Sequence, residues 1–141
     1  MAGINTGKVL TGGLLAGLLL NVGDFGLQQL FGAEMAANLT RLHLDPAAAT
    51  SFAAAVPWIV IDFLMGLLVI FTYASIRPRF GPGPKTAIIA GGILFLAVTF
   101  ILFGFQTIGF FPMDGFLKNT VGEAVNVAIA STAGAWAYQE A

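Results

Sequence analysis

The sequence predicts an all-α membrane protein, a bundle of four transmembrane helices in one domain over residues 1–141. Two observations lead to this class. Hydrophobic residues make up 57% of the 141 residues and charged residues only 9%, against roughly 25% charged residues in a soluble domain. Four mostly apolar stretches also approach the ~20 residues that a spanning helix needs. They run over about 9–31, 56–76, 86–110 and 121–138.

The basic residues predict the orientation of the bundle. Four of them lie before the first span or between the second and third spans, whereas the two other loops contain only Arg41 and Lys118. The four are Lys8, Arg77, Arg79 and Lys85. Because basic residues concentrate in cytoplasmic loops, we expect both termini in the cytoplasm. The protein is then a multi-pass protein of the cell inner membrane, with the lipid bilayer as its first partner.

The first outside loop contains a short amphipathic pattern. Met35, Leu39 and Leu42 fall on one helical face. This spacing predicts a short helix that lies on the membrane surface or caps the bundle.

Two prolines mark the approach to the second span. Asp45-Pro46 has the pattern of an N-cap followed by proline at the first helical position. Pro57 then lies near the start of the second span, where its missing N–H costs little. In the alternative interpretation, the second span begins at Pro46 and kinks at Pro57.

The second loop, Arg77-Pro-Arg-Phe-Gly-Pro-Gly-Pro-Lys85, contains three prolines and two glycines. Such a composition predicts a tight, stiff turn. Arg77, Arg79 and Lys85 are candidates for docking a partner or an anionic lipid headgroup. The simpler interpretation is a basic anchor on a rigid hairpin.

Each span has its small and polar residues on one face. These residues are Gly13, Gly17, Asn21, Asp24 and Gln28 on the first span, Asp62 and Gly66 on the second, Gly92 and Gln106 on the third, and Glu123, Asn126 and Gly134 on the fourth. The glycines permit close helix packing. We therefore expect the four polar faces to turn toward one another.

The polar residues also share a depth. At 1.5 Å per residue, Asp24 lies ~10 Å from the outer end of its span, Asp62 ~9 Å, Gln106 ~6 Å, and Glu123 with Asn126 ~5–8 Å. The inner part of each span is mostly glycine, alanine and aliphatic residues. This distribution predicts a polar pocket that opens to the outside and is sealed toward the cytoplasm.

The pocket would contain three carboxylates and no basic residue from the spans. Either one carboxyl is protonated or a cation is bound, unless Arg41 or Lys118 folds in as a partner. A single Asp can also act only as a hydrogen-bonding contact between helices. For Glu123 we prefer a structural role, in which its charge complements the helix dipole in the first turn of its helix.

Composition excludes several kinds of site. The chain has no cysteine and one histidine, His43, which excludes thiolate catalysis, iron–sulfur clusters, zinc–thiolate sites and haem held by two histidines. The net charge of −1 argues against nucleic-acid binding. No metal site and no particular cofactor is predicted, and His43 is interpreted as a solvated loop residue.

The segment Tyr73-Ala-Ser-Ile-Arg77-Pro-Arg-Phe-Gly-Pro-Gly-Pro-Lys85-Thr, together with Asn21-Val-Gly-Asp24, resembles a group of small bacterial four-span inner-membrane proteins. No activity, ligand or functional residue is attached to that group. The resemblance implies a bacterial inner-membrane location and nothing about mechanism.

Three classes of function remain open. The first is binding or movement of a cation, a proton or a small polar ligand in the pocket, by a homo-oligomer because four helices are few for a transporter. The second is an accessory or structural subunit of a larger membrane complex. An enzyme is the weakest class, because paired carboxylates could do acid–base chemistry but no nucleophile or redox group accompanies them.

Overall fold

A computed structural model describes residues 3–138 of the chain. Helices occupy 87% of these residues and no strand occurs among them, so the predicted all-α class is confirmed. The helices are α1 (Thr6–Arg41), α2 (Pro46–Ala49), α3 (Phe52–Phe80), α4 (Pro84–Thr107) and α5 (Met113–Ala137). Three of them, α1, α3 and α4, are long and apolar enough to cross a membrane.

The first helix is much longer than the predicted span. α1 has 36 residues, which corresponds to ~54 Å, and it begins where Asn5 Oδ1 accepts a hydrogen bond from Lys8 N at 3.0 Å. The prediction of a separate amphipathic helix after residue 31 is wrong, because Met35 and Leu39 lie within α1. Residues 33–41 include good helix formers and no proline, so nothing in the sequence stops the helix at Gly32.

The connection between α1 and α3 includes one short helix. As predicted, Asp45 caps α2 by accepting a hydrogen bond from Ala47 N at 2.9 Å. Ser51 then starts α3, accepting from Ala54 N at 3.3 Å. The alternative of one helix from Pro46 is therefore wrong. Because α3 starts at Phe52 rather than at about 56, Pro57 lies in its second turn and not at its start.

The turn between α3 and α4 is shorter than expected, because α3 continues to Phe80. Gly81 and Gly83 make the turn with φ values of 82° and 120°, which side chains other than glycine rarely adopt. The Tyr73 hydroxyl accepts a hydrogen bond from Gly83 N at 3.1 Å, and Thr86 Oγ1 donates to Gly81 O at 2.7 Å. These two side chains fix the predicted stiff hairpin.

The last helix begins well before the predicted span. α4 ends at Thr107, Gly109 turns the chain with a φ of 87°, and α5 begins at Met113 rather than at about 121. Lys118 Nζ forms an ion pair with Glu34 Oε1 at 2.7 Å. The first turns of α5 thus pack beside the extension of α1.

The four long helices form a ring. α1 packs against α3 and α5, and α4 packs against the same two helices. Within the described residues α1 and α4 do not touch, so they lie on one diagonal, whereas α3 and α5 meet across the other. We call the end with α2 and the α4–α5 loop the outer end, and the end with the α3–α4 turn the inner end.

The buried core lies in the inner half of the bundle. No described residue between Asn21 and Met65 is buried, and none between Gly92 and Val125. The buried hydrophobic residues are Val9, Ala16, Leu20, Val69, Ile70, Tyr73, Ala74, Ala87, Ala90, Ala130, Ala135 and Tyr138. The helices are therefore closely packed at the inner end and less so at the outer end.

Glycine permits the close contact of α1 with α3. A Cβ on Gly66 would lie 2.7 Å from the Cα of Gly17, and a Cβ on Gly13 would lie 2.7 Å from the Cα of Leu67. These distances leave no room for a side chain, so the two backbones are in contact. Gly134 plays the same part on α5, where a Cβ would lie 2.7 Å from the carbonyl oxygen of α1 residue Gly12.

The third span packs through a different glycine from the one expected. A Cβ on Gly92 would meet no atom within 4 Å, so the predicted packing role of Gly92 is wrong. Its neighbour Gly91 is buried, and a Cβ there would lie 2.9 Å from the Cβ of Ser131 on α5. The difference of one residue is a rotation of about 100° around the helix axis.

Candidate functional site

Asn126 of α5 is at the centre of the polar cluster. It is buried, and its Nδ2 donates to Asp24 Oδ1 at 2.7 Å and to the carbonyl oxygen of Leu20 at 3.2 Å. Gly23 makes this contact possible, because a Cβ there would collide with the Asn126 carboxamide. The close approach of α1 and α5 thus aims one amide at the carboxyl group of Asp24.

Glu123 lies one turn away from Asn126 on α5 and joins the same cluster. The carboxyl groups of Asp24 and Glu123 are close enough for charge repulsion, and Asn126 Nδ2 donates to Asp24 Oδ1. The cluster thus brings two acidic side chains and one amide together between α1 and α5.

The structural role preferred for Glu123 does not fit its position. Since α5 begins at Met113, Glu123 lies in the third turn and not in the first. It is too far from the N-terminus for the helix dipole to act on it. The sequence contained a signal for the earlier start, because Pro112 and Asp114 are typical of a helix beginning.

Asp62 of α3 is the third carboxyl group. It is half-buried and close enough to Asp24 and Glu123 for charge repulsion with both. Its side chain makes no hydrogen bond or ion pair with the described residues. Asp62 thus adds negative potential at the α1–α3 side of the cluster without joining its hydrogen bonds.

Asn21 links α1 to α3 close to the carboxyl groups. Its Nδ2 donates to Gly17 O at 2.9 Å and to Ile59 O at 3.3 Å. Both acceptors are backbone carbonyls that belong to helices. Asn21 therefore positions the two helices rather than extending the cluster.

The two glutamines lie apart from the cluster. Gln28 is exposed on α1. Gln106 lines a cavity of 390 Å³ at the outer end, together with Arg41 and Met113 and with no carboxylate. Gln106 thus lines a cavity apart from the three carboxyl groups, rather than the expected pocket with Asp24 and Asp62.

The basic residues of the outer end do not reach the cluster. Arg41 Nη2 donates to the carbonyl oxygen of Gly109 at 2.7 Å, and Lys118 pairs with Glu34 and, at 3.8 Å, with Asp114. The alternative in which Arg41 or Lys118 neutralises the carboxylates is therefore wrong. Across residues 3–138, no Lys or Arg forms an ion pair with Asp24, Asp62 or Glu123.

The basic hairpin belongs to the inner end. The Arg77 guanidinium carbon lies 5.9 Å from the ring centroid of Tyr138, and that ring meets Tyr73 edge-on at 5.8 Å. Arg79 and Lys85 are exposed. Arg77 thus packs against the end of α5, whereas Arg79 and Lys85 face outward.

Within the described residues no group of three or more His, Asp or Glu side chains is arranged to hold a metal ion. Comparison with known proteins gives no match to a family model, to a curated protein or to a solved structure.

Proposed function

We propose that the chain is a four-span inner-membrane protein with both termini in the cytoplasm. Its α5 has 25 residues, or ~37 Å, which is enough to cross a bilayer of ~30 Å. It packs beside α1 and α4, two of the helices that are apolar enough to span. The basic residues near the inner end favour the cytoplasmic side for that end.

Cysteine labelling tests this topology, because the natural chain has no cysteine. Pro82→Cys marks the α3–α4 turn and Thr50→Cys marks the outer end. With a membrane-impermeant maleimide, we expect Thr50→Cys to react in intact spheroplasts and Pro82→Cys to react only in inverted vesicles. The opposite pattern would reverse the orientation, and equal reaction of both sites in spheroplasts would exclude an odd number of spans between them.

We propose further that the cluster of Asp24, Glu123, Asn126 and Asp62 binds a proton or a small cation. The observation that carries this proposal is the gathering of Asp24 and Glu123 around Asn126, whose Nδ2 donates to Asp24 Oδ1 at 2.7 Å, with no ion pair to a basic residue within residues 3–138. Two neighbouring ionised carboxylates repel each other strongly where water is scarce. Holding a proton or a cation between them removes the repulsion.

The packing of the bundle supports access from the outer end. Above Asp24 the helices are loosely packed, whereas below it Gly13, Gly17 and Gly66 bring the backbones into contact. A ligand can therefore reach the cluster from the outer side and is stopped at the inner side. Movement across the membrane would require a second conformation that opens the glycine contacts, or a homo-oligomer that supplies a further path.

The binding of a proton by the cluster is tested with the variants Asp24→Asn and Glu123→Gln, reconstituted into lipid. We expect the infrared band of a protonated carboxyl group to be present near neutral pH in the natural protein and lost in either variant. Asp114→Asn is the matched control, because Asp114 is exposed at the outer end. It should leave the band unchanged.

Two results would contradict the proposal. The first is a carboxyl band that survives in both variants. The second is the absence of that band together with no effect of added monovalent cations on the spectrum of the natural protein. Proton uptake into dye-loaded vesicles then distinguishes binding alone from movement, since only movement acidifies the vesicle interior.

A second candidate function is supported by the outward face of α5. A shallow groove of 810 Å³ follows this face, lined by small and apolar side chains including Ala124, Ala128, Thr132 and Trp136. Such a surface suits a neighbouring helix, so the chain could be an accessory subunit of a larger membrane complex. Mass spectrometry of gently solubilised membranes tests this candidate, and recovery of the chain without a stoichiometric partner would count against it.

A further inference from the structure

The cavity at the outer end contains a fixed positive charge. Arg41, the last residue of α1, lines it together with Gln106, Thr107 and Met113. The guanidinium is held in place by neutral acceptors. Its Nη2 donates to Gly109 O at 2.7 Å, to Asn38 Oδ1 at 2.8 Å and to Phe110 O at 3.1 Å, and its Nε donates to Asn38 Oδ1 at 3.1 Å.

Within residues 3–138 no carboxylate forms an ion pair with this guanidinium, since Glu34 and Asp114 pair with Lys118 and Asp45 caps α2. The Nη1 group of Arg41 makes no hydrogen bond with the described residues. A guanidinium with unused donors and an uncompensated charge is suited to phosphate, whose oxygens match the planar fork. Arg41 thus both holds the α4–α5 loop by hydrogen bonds and offers a hydrogen-bond donor to the cavity.

Gln106 supplies a second donor. It is half-buried, and its side-chain amide makes no hydrogen bond with the described residues. Thr107 is different, because its Oγ1 already donates to Gly104 O at 2.7 Å. The Gln106 amide is therefore free to donate to an anionic oxygen in the cavity.

The position of the cavity identifies the source of the anion. α4 has 24 residues, or ~36 Å, close to the ~30 Å of a bilayer core, so its end at Thr107 lies at the headgroup level. Phe105 and Ile108 beside the cavity are exposed apolar residues. They would contact acyl chains while the polar lining contacts the headgroup.

We propose that this cavity binds the phosphate group of a phospholipid in the outer leaflet, with Arg41 and Gln106 as donors. The proposal rests on the four-span topology and is independent of the carboxyl cluster. The lipid phosphate would occupy the donors that the protein leaves unused. Its chains would lie along α4.

The test measures binding of phosphatidylglycerol to the full-length protein in detergent by native mass spectrometry. Met113→Glu places a carboxylate in the cavity without removing the hydrogen bonds of Arg41. We expect its affinity for the lipid to fall about tenfold or more, because the new charge competes for the guanidinium. Gln106→Leu removes the second donor and should weaken binding by a smaller factor.

Asn119→Glu is the matched control, since it adds the same charge to the same helix at an exposed position outside the cavity lining. It should bind the lipid as the natural protein does. Inorganic phosphate serves as a competing probe, and we expect it not to displace the lipid. Unchanged lipid affinity in both cavity variants would overturn the proposal, and binding of inorganic phosphate without lipid binding would overturn the headgroup assignment.

Discussion

The inner and outer halves of the bundle hold their helices together in different ways. In the inner half, Gly13, Gly17 and Gly66 bring α1 and α3 to backbone contact, and Gly134 does the same for α1 and α5. In the outer half no residue of α4 beyond Gly91 is buried. Side-chain hydrogen bonds and ion pairs connect the helices there instead.

The comparison shows that the small residues determine where the helices touch. Lipid is as apolar as the side chains of the spans, so close packing rather than the hydrophobic effect brings helices together in a membrane. The outer half has fewer contacts between small residues, and its helices are held together by directional polar contacts. The carboxyl cluster lies at the boundary between these two regions, where a polar group is enclosed by protein but still accessible.

The largest effect is expected from filling a glycine contact in the inner half. Gly66→Ala places a methyl group against the backbone of Gly17 and should lower the free energy of unfolding by about 1–3 kcal/mol. Gly92→Ala is the matched control, because its new Cβ meets nothing. Alanine stabilises a helix by about 0.5–1 kcal/mol relative to glycine, so the control should be slightly more stable.

Thermal unfolding in lipid or detergent measures both variants. Opposite signs for the two substitutions are the expected result. Similar changes of either sign would mean that the α1–α3 contact does not hold the inner half together.

The next effect concerns the boundary between the halves. Asn126→Leu removes the hydrogen bonds to Asp24 and to Leu20 O, which should cost about 1–3 kcal/mol of stability. Asn119→Leu, an exposed position on the same helix, should change stability by about 0.5 kcal/mol or less. If the two leucine variants unfold at the same temperature, the cluster makes no net contribution to the fold.

A smaller effect is expected at the outer end. Arg41→Met removes the hydrogen bonds to Gly109 O and Phe110 O. The free energy of local opening in the 108–112 loop should therefore fall by about 1 kcal/mol, and amide hydrogen exchange there should become faster. Exchange at the α3–α4 turn should be unchanged, because that turn is at the other end. Uniform acceleration along the chain would show that the two halves do not open separately.

The smallest expected effect is a pH dependence of stability, which arises from an ion pair at the outer end. The hydrogen bond from Lys118 to Glu34 raises the pKa of the Lys118 ammonium above its ordinary value of 10.5. The contribution of this pair to stability is therefore complete below the ordinary value and is lost as pH rises through the raised value. The melting temperature of the natural protein should therefore fall at alkaline pH, and we call this fall the alkaline step. Lys118→Met should remove it.

Lys85→Met, at the inner end, should leave the alkaline step of Lys118 in place. A step that persists in Lys118→Met would have to come from another group. The ion pair is exposed, so its effect should also decrease at high salt.

Sequence reasoning predicted the inner core and the cluster better than the outer end. The faces of α1 and α5 were correctly placed by their spacing, since Asp24 and Asn126 do meet, and Gly13, Gly17, Gly66 and Gly134 do lie at contacts. Periodicity succeeds there because both helices have a clear small-and-polar face.

The errors have specific physical causes. Gly92 and Gln106 were placed on one face of a helix that is apolar on nearly all sides, and an error of one residue rotates the expected face by about 100°. Glu123 was misjudged because hydropathy identifies the apolar part of a helix and not its polar continuation. Hydropathy does not identify the extensions of α1 and α5 beyond the predicted spans for the same reason.

Because α1 is unbroken, a tilt of this helix moves residues by an amount that grows with their distance from the point about which it tilts. Its contact with α3 at Gly17 is a pivot, Asp24 lies ~10 Å beyond it and Arg41 ~36 Å beyond it by the rise per residue. A change of about 10° in the crossing angle would therefore move Asp24 by ~2 Å and Arg41 by ~6 Å. Because Arg41 is bonded to the α4–α5 loop, a small displacement at the carboxyl cluster would reach the outer ends of α4 and α5 about threefold larger.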